Sequence, residues 1–145
     1  MLLGTYKAKF AAKRRVAIPA LLRRSLGDSF ILAKWYEGCL VLVAKAAWQA
    51  LLERLTGGQK VITIPIRDTE RFIFGSAYEK EPDEQGRIVI PERLAEYATL
   101  GEELFFVGLG DRVEIWDKAI WEEKEKKVAR EAAGYLEELA KTQRK

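Results

Sequence analysis

The chain has 145 residues, with 25 Lys and Arg against 22 Asp and Glu, no His and a single Cys. Without imidazole or paired thiols, one chain cannot form a Ser–His or Cys–His couple, an imidazole metal site or a disulfide framework. No run approaches the ~20 apolar residues of a membrane span, and the start MLLGTYKAKF is too short and too charged for a signal peptide, so a soluble cytoplasmic protein is expected.

The first predicted element is a strand in which Tyr6, Ala8 and Phe10 alternate with Lys7 and Lys9. A basic loop, Lys13-Arg14-Arg15, leads into a second strand through Val16 and Ile18. Pro19 ends that strand because it has no N–H to donate. A short helix follows, up to Gly27. The apolar run Phe30–Trp35, the turn Tyr36-Glu37-Gly38 and the run Cys39–Val43 read as a strand pair. The continuous stretch Leu40-Val41-Leu42 suits burial on both faces. Over Ala46–Leu55, Trp48, Leu51, Leu52 and Leu55 form an i, i+3, i+4, i+7 stripe, which predicts a helix stopped at Gly57-Gly58. The connector holds the β-branched run Val61 to Ile66, then a short helix N-capped by Asp68 or Thr69 and stopped at Gly75.

The plan then starts again. RRVAIPALL at 14–22 recurs as GRIVIPERL at 86–94, a shift of 72 that places Arg15 on Arg87, Ile18 on Ile90, Pro19 on Pro91 and Leu22 on Leu94. Tyr6 falls on Tyr78. The run Leu104–Leu109, the turn Gly110-Asp111-Arg112 and the strand Val113–Trp116 follow, and Trp48 lies over Trp121 at a shift of 73. From Asp117 a long helix runs towards Ala140, with Ile120, Trp121, Val128, Ala132, Tyr135, Leu136 and Leu139 mostly on one side. Gly134 weakens it by ~1 kcal/mol. The organisation is therefore a first repeat and helix at 1–57, a connector at 58–76, and a second repeat with the long helix at 77–145. One repeat of about 50 residues is too small to bury a good core alone, so the two copies are expected to pack as a pseudo-two-fold pair.

Charge divides along the same line. Residues 1–72 hold 13 Lys and Arg against 5 Asp and Glu, and residues 73–145 hold 12 against 17. Such polarity suits a polyanion partner for the first half or head-to-tail attraction between chains; a solvated face with no partner is the plain alternative. Two equivalent basic loops can meet a duplex at two points, which is a geometric reason to think of DNA.

These residues resemble the MraZ family of bacterial regulators, which have two AbrB-like, swapped-hairpin repeats. The resemblance covers essentially the whole chain. It rests on the opening MLLGTY, on the helix-borne Trp after each repeat, and on strand–loop–strand units of the form D-x-x-G-R followed by an alternating apolar run and Pro. Asp83-Glu84-Gln85-Gly86-Arg87-Ile88-Val89-Ile90-Pro91 fits that form fully. The first copy has Ala11 in place of the Asp and Arg14 in place of the Gly. The resemblance implies an α+β, strand-rich fold: two tandem AbrB-like repeats packed as a pseudo-two-fold β-barrel with flanking helices. It further implies a nucleoid-associated transcription factor at the promoter of the division and cell-wall gene cluster. There it would bind short direct repeats of double-stranded DNA as a closed ring of eight or more subunits. It implies no cofactor, metal, membrane or small-molecule substrate. The binding loop maps onto Lys13, Arg14, Arg15 and Arg87, with Lys7 and Lys9 on the preceding strand.

Arg15 is the leading DNA contact, because a guanidinium can fork onto a phosphate or onto guanine O6 and N7. The competing role is bracing: in the parent motif the Arg can pair with the Asp four positions before it. At Arg15 that partner is missing, whereas Arg87 has Asp83, and Lys7 and Lys9 correspond to Glu79 and Glu81. A bracing pair at Asp83 and Arg87 stands beside DNA contact, and the first repeat is expected to be the main reader. A Gly at position 14 would serve a left-handed turn, so Arg14 implies strain or a changed loop. With no Asn and four Gln, guanine-rich elements fit the inventory better than adenine-rich ones. Cys39 and the four Trp read as packing residues. The tail from Arg130 is either solvated or docked on a neighbour. An antitoxin-like interaction module is the alternative function, and no acidic pair recurs with a spacing that demands an enzyme.

Overall fold

The computed structural model describes residues 1–58 and 63–143. The first half folds as β1 (Leu2–Lys9), a one-turn 3-10 segment at Ala12–Arg14, β2 (Arg15–Ala17), α1 (Ala20–Leu26), β3 (Phe30–Lys34), β4 (Leu40–Ala44) and α2 (Lys45–Thr56). After α3 (Ile64–Phe74) come β5 (Tyr78–Lys80), β6 (Arg87–Val89), α4 (Glu92–Tyr97), β7 (Glu103–Gly110), β8 (Val113–Asp117) and α5 (Lys118–Gln143). The protein is α+β and strand-rich, with five α-helices among the described residues. Among the same residues, no helix is long and apolar enough to cross a membrane.

Six strands form an antiparallel sheet in the order β1-β7-β8-β4-β3-β5, while β2 and β6 pair separately as a two-stranded ribbon. The strands are exchanged between the halves: β1 lies on β7 and β5 lies on β3. Period-two alternation sorts the central strands between two cores. Leu32, Leu40 and Leu42 face a first core closed by Val16, Ile18, Ile88 and Ile90 of the ribbon and by Leu22 and Leu94 of α1 and α4. Ala33, Val41 and Val43 face a second core under α2 and α3, which also holds Trp35, Trp116, Ile73 and Cys39. That two-sided burial explains why β4 reads as an unbroken apolar run.

The closed barrel expected for the two repeats is not formed. β1 and β5 are the two edges of the sheet, and no ladder joins them among the described residues. β5 has only three residues and runs into Glu81-Pro82, where the Pro has no N–H for a further rung. The ribbon covers that open side instead, burying Val16 and Ile88 opposite each other.

The connector differs from expectation as well. α3 starts at Ile64 after Thr63, not at Asp68 or Thr69, because Pro65 sits in the first turn, where its fixed φ suits a helix and its missing N–H costs nothing. Asp68 instead pairs with Arg71 at 2.8 Å, and the Thr69 hydroxyl donates to the Pro65 carbonyl. The stop at Gly75 is as expected. Residues 61 and 62 of the β-branched run lie outside the described residues.

Candidate nucleic-acid interface

The ribbon places the candidate residues. β2 and β6 pair as Arg15 with Val89, Val16 with Ile88, and Ala17 with Arg87. Alternation turns Val16 and Ile88 inward, so Arg15, Ala17, Arg87 and Val89 share the outer face. Arg15 and Arg87 stand on one diagonal, a separation of about 7–8 Å between backbones. Two further bonds lengthen the ladder: Ile18 N–H donates to the Gly86 carbonyl, and Ile90 N–H to the Arg14 carbonyl, each at 3.0 Å. The loops preceding β2 and β6 therefore sit at opposite ends of one ribbon.

The two loops are not built alike. In the second, Gly86 N–H closes a turn onto the Asp83 carbonyl, and Gly86 takes φ +74°. The Asp83 carboxylate accepts the backbone N–H of Gln85 and of Arg87, each at 2.9 Å, and pairs with the Arg87 guanidinium at 3.2 Å. These contacts, the Arg87 N–H first, hold the Asp83 carboxyl below the usual carboxylate range. In the first loop position 11 is Ala and no such carboxylate exists. The turn re-forms one residue later, with Arg15 N–H on the Ala12 carbonyl and both Lys13 (φ +61°) and Arg14 (φ +57°) left-handed. Two consecutive left-handed residues are the signature of a type I′ turn, which suits the twist of a hairpin but normally takes Asn and Gly. Of the two outcomes expected at Arg14, strain or a changed loop, both are present: Arg14 keeps the left-handed φ and the turn has moved by one residue.

Charge partners separate the candidates further. Lys7 and Lys9 lie on the exposed side of β1, each 3.9 Å from a β7-side carboxylate, Glu103 and Glu102 respectively. Both line an open groove of about 590 Å³ that continues past Ala17 and Pro19 of the ribbon end. Arg87 is engaged by Asp83. Arg14 donates from Nε to the Ile90 carbonyl at 3.1 Å. Among the described residues, Lys13 and Arg15 have neither a carboxylate nor a hydrogen-bond partner for their side chains. Lys13 and Arg15 thus stand together at one end of the ribbon, and Arg87 stands at the other.

One residue that shapes the ribbon end escaped the sequence reading. Arg23, on α1, donates from Nη1 to the Ile18 carbonyl at 3.2 Å and lies directly over Gly86, where a Cβ would fall 2.0 Å from it. The signal was in the alignment of the halves: at the shift of 72, Arg23 falls on Ala95 and Arg14 on Gly86. The other singled-out side chains are packing groups. Trp35 and Trp116 are buried, and Trp48 and Trp121 pack on the same core. Burial, reinforced by Glu114 and Glu37, pushes the Cys39 thiol far above its ordinary value, and its S–H points at the Tyr36 carbonyl. No group of three His, Cys, Asp or Glu among the described residues is placed to hold a metal ion.

The fold and the site together define an α+β protein that presents a two-stranded, basic-ended ribbon on an otherwise closed core. The chain matches the family described as "MraZ protein, putative antitoxin-like" over residues 1–63 and 73–141. It is 39% identical over 129 residues to a protein named Transcriptional regulator MraZ from Caldanaerobacter subterraneus subsp. tengcongensis, a match covering 87% of each chain. Proteins of the same name from Thermoanaerobacter pseudethanolicus (40% over 126 residues, 85% of each chain) and Heliobacterium modesticaldum (38% over 129 residues, 89% of this chain and 90% of the other) are similar to it as well. The chain belongs to the MraZ family.

Proposed function

We propose that this protein is a sequence-specific DNA-binding transcriptional regulator that reads duplex DNA with the β2–β6 ribbon. The observation carrying the reading is the outer ribbon face, with Lys13 and Arg15 unpartnered among the described residues and Arg87 on the same diagonal. A two-stranded ribbon fits the major groove, where Arg reaches guanine O6 and N7 and small apolar groups such as Ala17 and Val89 meet a thymine methyl. Lys13 and Arg15 are the leading contacts. Arg14, Arg87, Lys7 and Lys9 flank them, and the groove beside Lys7 and Lys9 gives the phosphate backbone a place to lie.

The strand order supports the duplicated plan, since exchanging the two halves turns β1-β7-β8-β4-β3-β5 into its own reverse. On that plan the units remain 1–57, 58–76 and 77–145. The family resemblance adds the target, short promoter repeats at the division and cell-wall gene cluster, and a ring of eight or more copies in the nucleoid-associated cytoplasm. A ring is consistent with α5, which spans about 39 Å and leaves Val128, Tyr135, Leu136 and Leu139 exposed. The same face favours the second reading, an antitoxin-like module gripping another protein, and native mass separates the two.

The deciding experiment is footprinting of the DNA upstream of the protein's own gene at 50 and 200 mM salt. Protected repeats that fade at high salt are expected, and no protection at low salt would end the regulator reading. Arg15→Ala should lose more affinity than Arg87→Ala, whose guanidinium already has Asp83; equal losses contradict the asymmetry.

A further inference from the structure

Each end of the ribbon has the same backbone problem. Ile18 and Ile90 are the last residues before Pro19 and Pro91, and their carbonyls face the turn of the opposite loop. At the second loop the natural ladder donor, Gly86 N–H, is spent on the Asp83 carbonyl. Both carbonyls lie in the interior of the fold, where an unmet acceptor is costly. Each is met by a guanidinium, and the two come from different places: Arg23 of α1 reaches Ile18 across Gly86, whereas Arg14 reaches Ile90 from within the loop itself. The residues equivalent to these donors are Ala95 and Gly86, so the pair Arg and Gly at one end is Ala and Arg at the other. A side chain at Gly86 would displace the Arg23 guanidinium from that space, and the φ of +74° there also favours glycine. At the first loop Ala95 leaves the space free, and Arg14 and Ala95 border one open hollow beside Glu92 and Glu96.

We propose that Arg14 is a positioning residue for DNA recognition and not a phosphate contact. Its guanidinium ties the left-handed turn to Ile90 and so fixes the direction in which Lys13 and Arg15 project. The assignment rests on the DNA-binding reading above.

The test uses the full chain and a duplex of the region upstream of its own gene, with affinity measured from 50 to 300 mM KCl. Three proteins are compared: wild type, Arg14→Gly, and Arg14→Gly with Ala95→Arg, which rebuilds at the first loop the arrangement of the second. Arg14→Gly is expected to weaken binding roughly tenfold at every salt concentration, the weight of one hydrogen bond, with the log–log slope unchanged. The double variant is expected to recover affinity to within about twofold and to restore slow exchange of the Arg15 amide in the free protein. A slope reduced by about 0.9 in Arg14→Gly, with no recovery in the double variant, identifies a phosphate contact and overturns the proposal. Unchanged affinity in Arg14→Gly overturns it too. If the wild type binds no DNA, the regulator reading fails by itself, and amide exchange alone then reports whether Arg14 holds the turn.

Discussion

Lys13→Gly should stabilise the fold, although it removes a side chain and adds a glycine. Lys13 sits at φ +61° and ψ +35°, a left-handed conformation that costs an L-residue about 1–2 kcal/mol and costs glycine nothing. Against that, glycine gives the unfolded chain more freedom, which subtracts about 0.4–1 kcal/mol. The balance is a gain of about 0.5–1 kcal/mol, or about 2–4 °C in melting temperature for a chain of this size. Gln85 is the control. It occupies the equivalent position in the second loop but takes no positive φ, and its N–H is held by Asp83. Gln85→Gly gains nothing and bears the entropy cost, so it should melt lower. Calorimetry and urea unfolding of both variants read the two signs directly. Shifts of the same sign would refute the argument that the first turn has slipped by one residue into a left-handed form. In the DNA assay Lys13→Gly should flatten the salt slope by about 0.9, so stability and binding move in opposite directions.

Two further outcomes follow from single contacts. Asp83 is held below its ordinary value, so the bracing of the second loop is complete above the unfolded-state pKa of about 3.9 and is lost as pH falls through the lower folded value. The Gln85 and Arg87 amide resonances should report that titration with a midpoint below about 3.9, and Asp83→Asn should abolish it; a midpoint at or above the ordinary value refutes the brace. Among the described residues, Trp121 Nε1 is enclosed with no acceptor, whereas Trp116 Nε1 donates to Glu114 at 2.9 Å. Trp121→Phe should therefore cost less in urea unfolding than Trp116→Phe, by about 1 kcal/mol. The reverse order would mean that volume, not hydrogen bonding, decides at this pair.

Local rules made much of the fold legible. Alternation marked β1 and β2, two-sided apolarity marked β4, and the stripe from Trp48 to Leu55 marked α2, because the period of each pattern is set by local strand or helix geometry whatever distant residues bury the face. The start of α3 was missed through a local ambiguity: a β-branched run containing Pro65 reads as extended, yet Pro in a first turn is a helix signal. The closed barrel failed for a non-local reason. Closure depends on whether two edges can reach each other in register, and a strand as short as β5 leaves that undecided in the sequence. Within the site, the pairing of Asp83 with Arg87 stood as one of two readings, suggested by the motif the chain resembles, and the ion pair is present. The grip of Arg14 on Ile90 was not legible, since a backbone carbonyl leaves no mark on residue type. Only the exchange of Arg and Gly with Ala and Arg between the two halves records it.

The charge split also changes meaning once the strands are placed. A basic half and an acidic half suggest a molecule with two opposite ends. The exchange of β1 onto β7 and β5 onto β3 instead threads one half through the other, and the charges meet inside one chain. Lys7 and Lys9 face Glu103 and Glu102, Lys45 faces Glu79 at 3.3 Å, Arg54 pairs with Asp111, and Lys124 reaches back to Glu37 at 2.5 Å. Such exposed pairs add at most about 1 kcal/mol each, so their effect on stability is small. Their effect on the field is larger, because each removes a cation from the general attraction towards a polyanion. Arg14 and Arg23 remain charged but are fixed on carbonyls. Of the candidate cations on the ribbon and β1, Lys13 and Arg15 are the ones left without a partner among the described residues, at the loop that has Ala11 in the place of Asp83. Replacing Ala11 with Asp should reverse this. A carboxylate there would capture Arg15 as Asp83 captures Arg87, and promoter affinity should fall while the first loop becomes more protected from amide exchange. If the first loop gains that protection and affinity holds, Arg15 is not the reader.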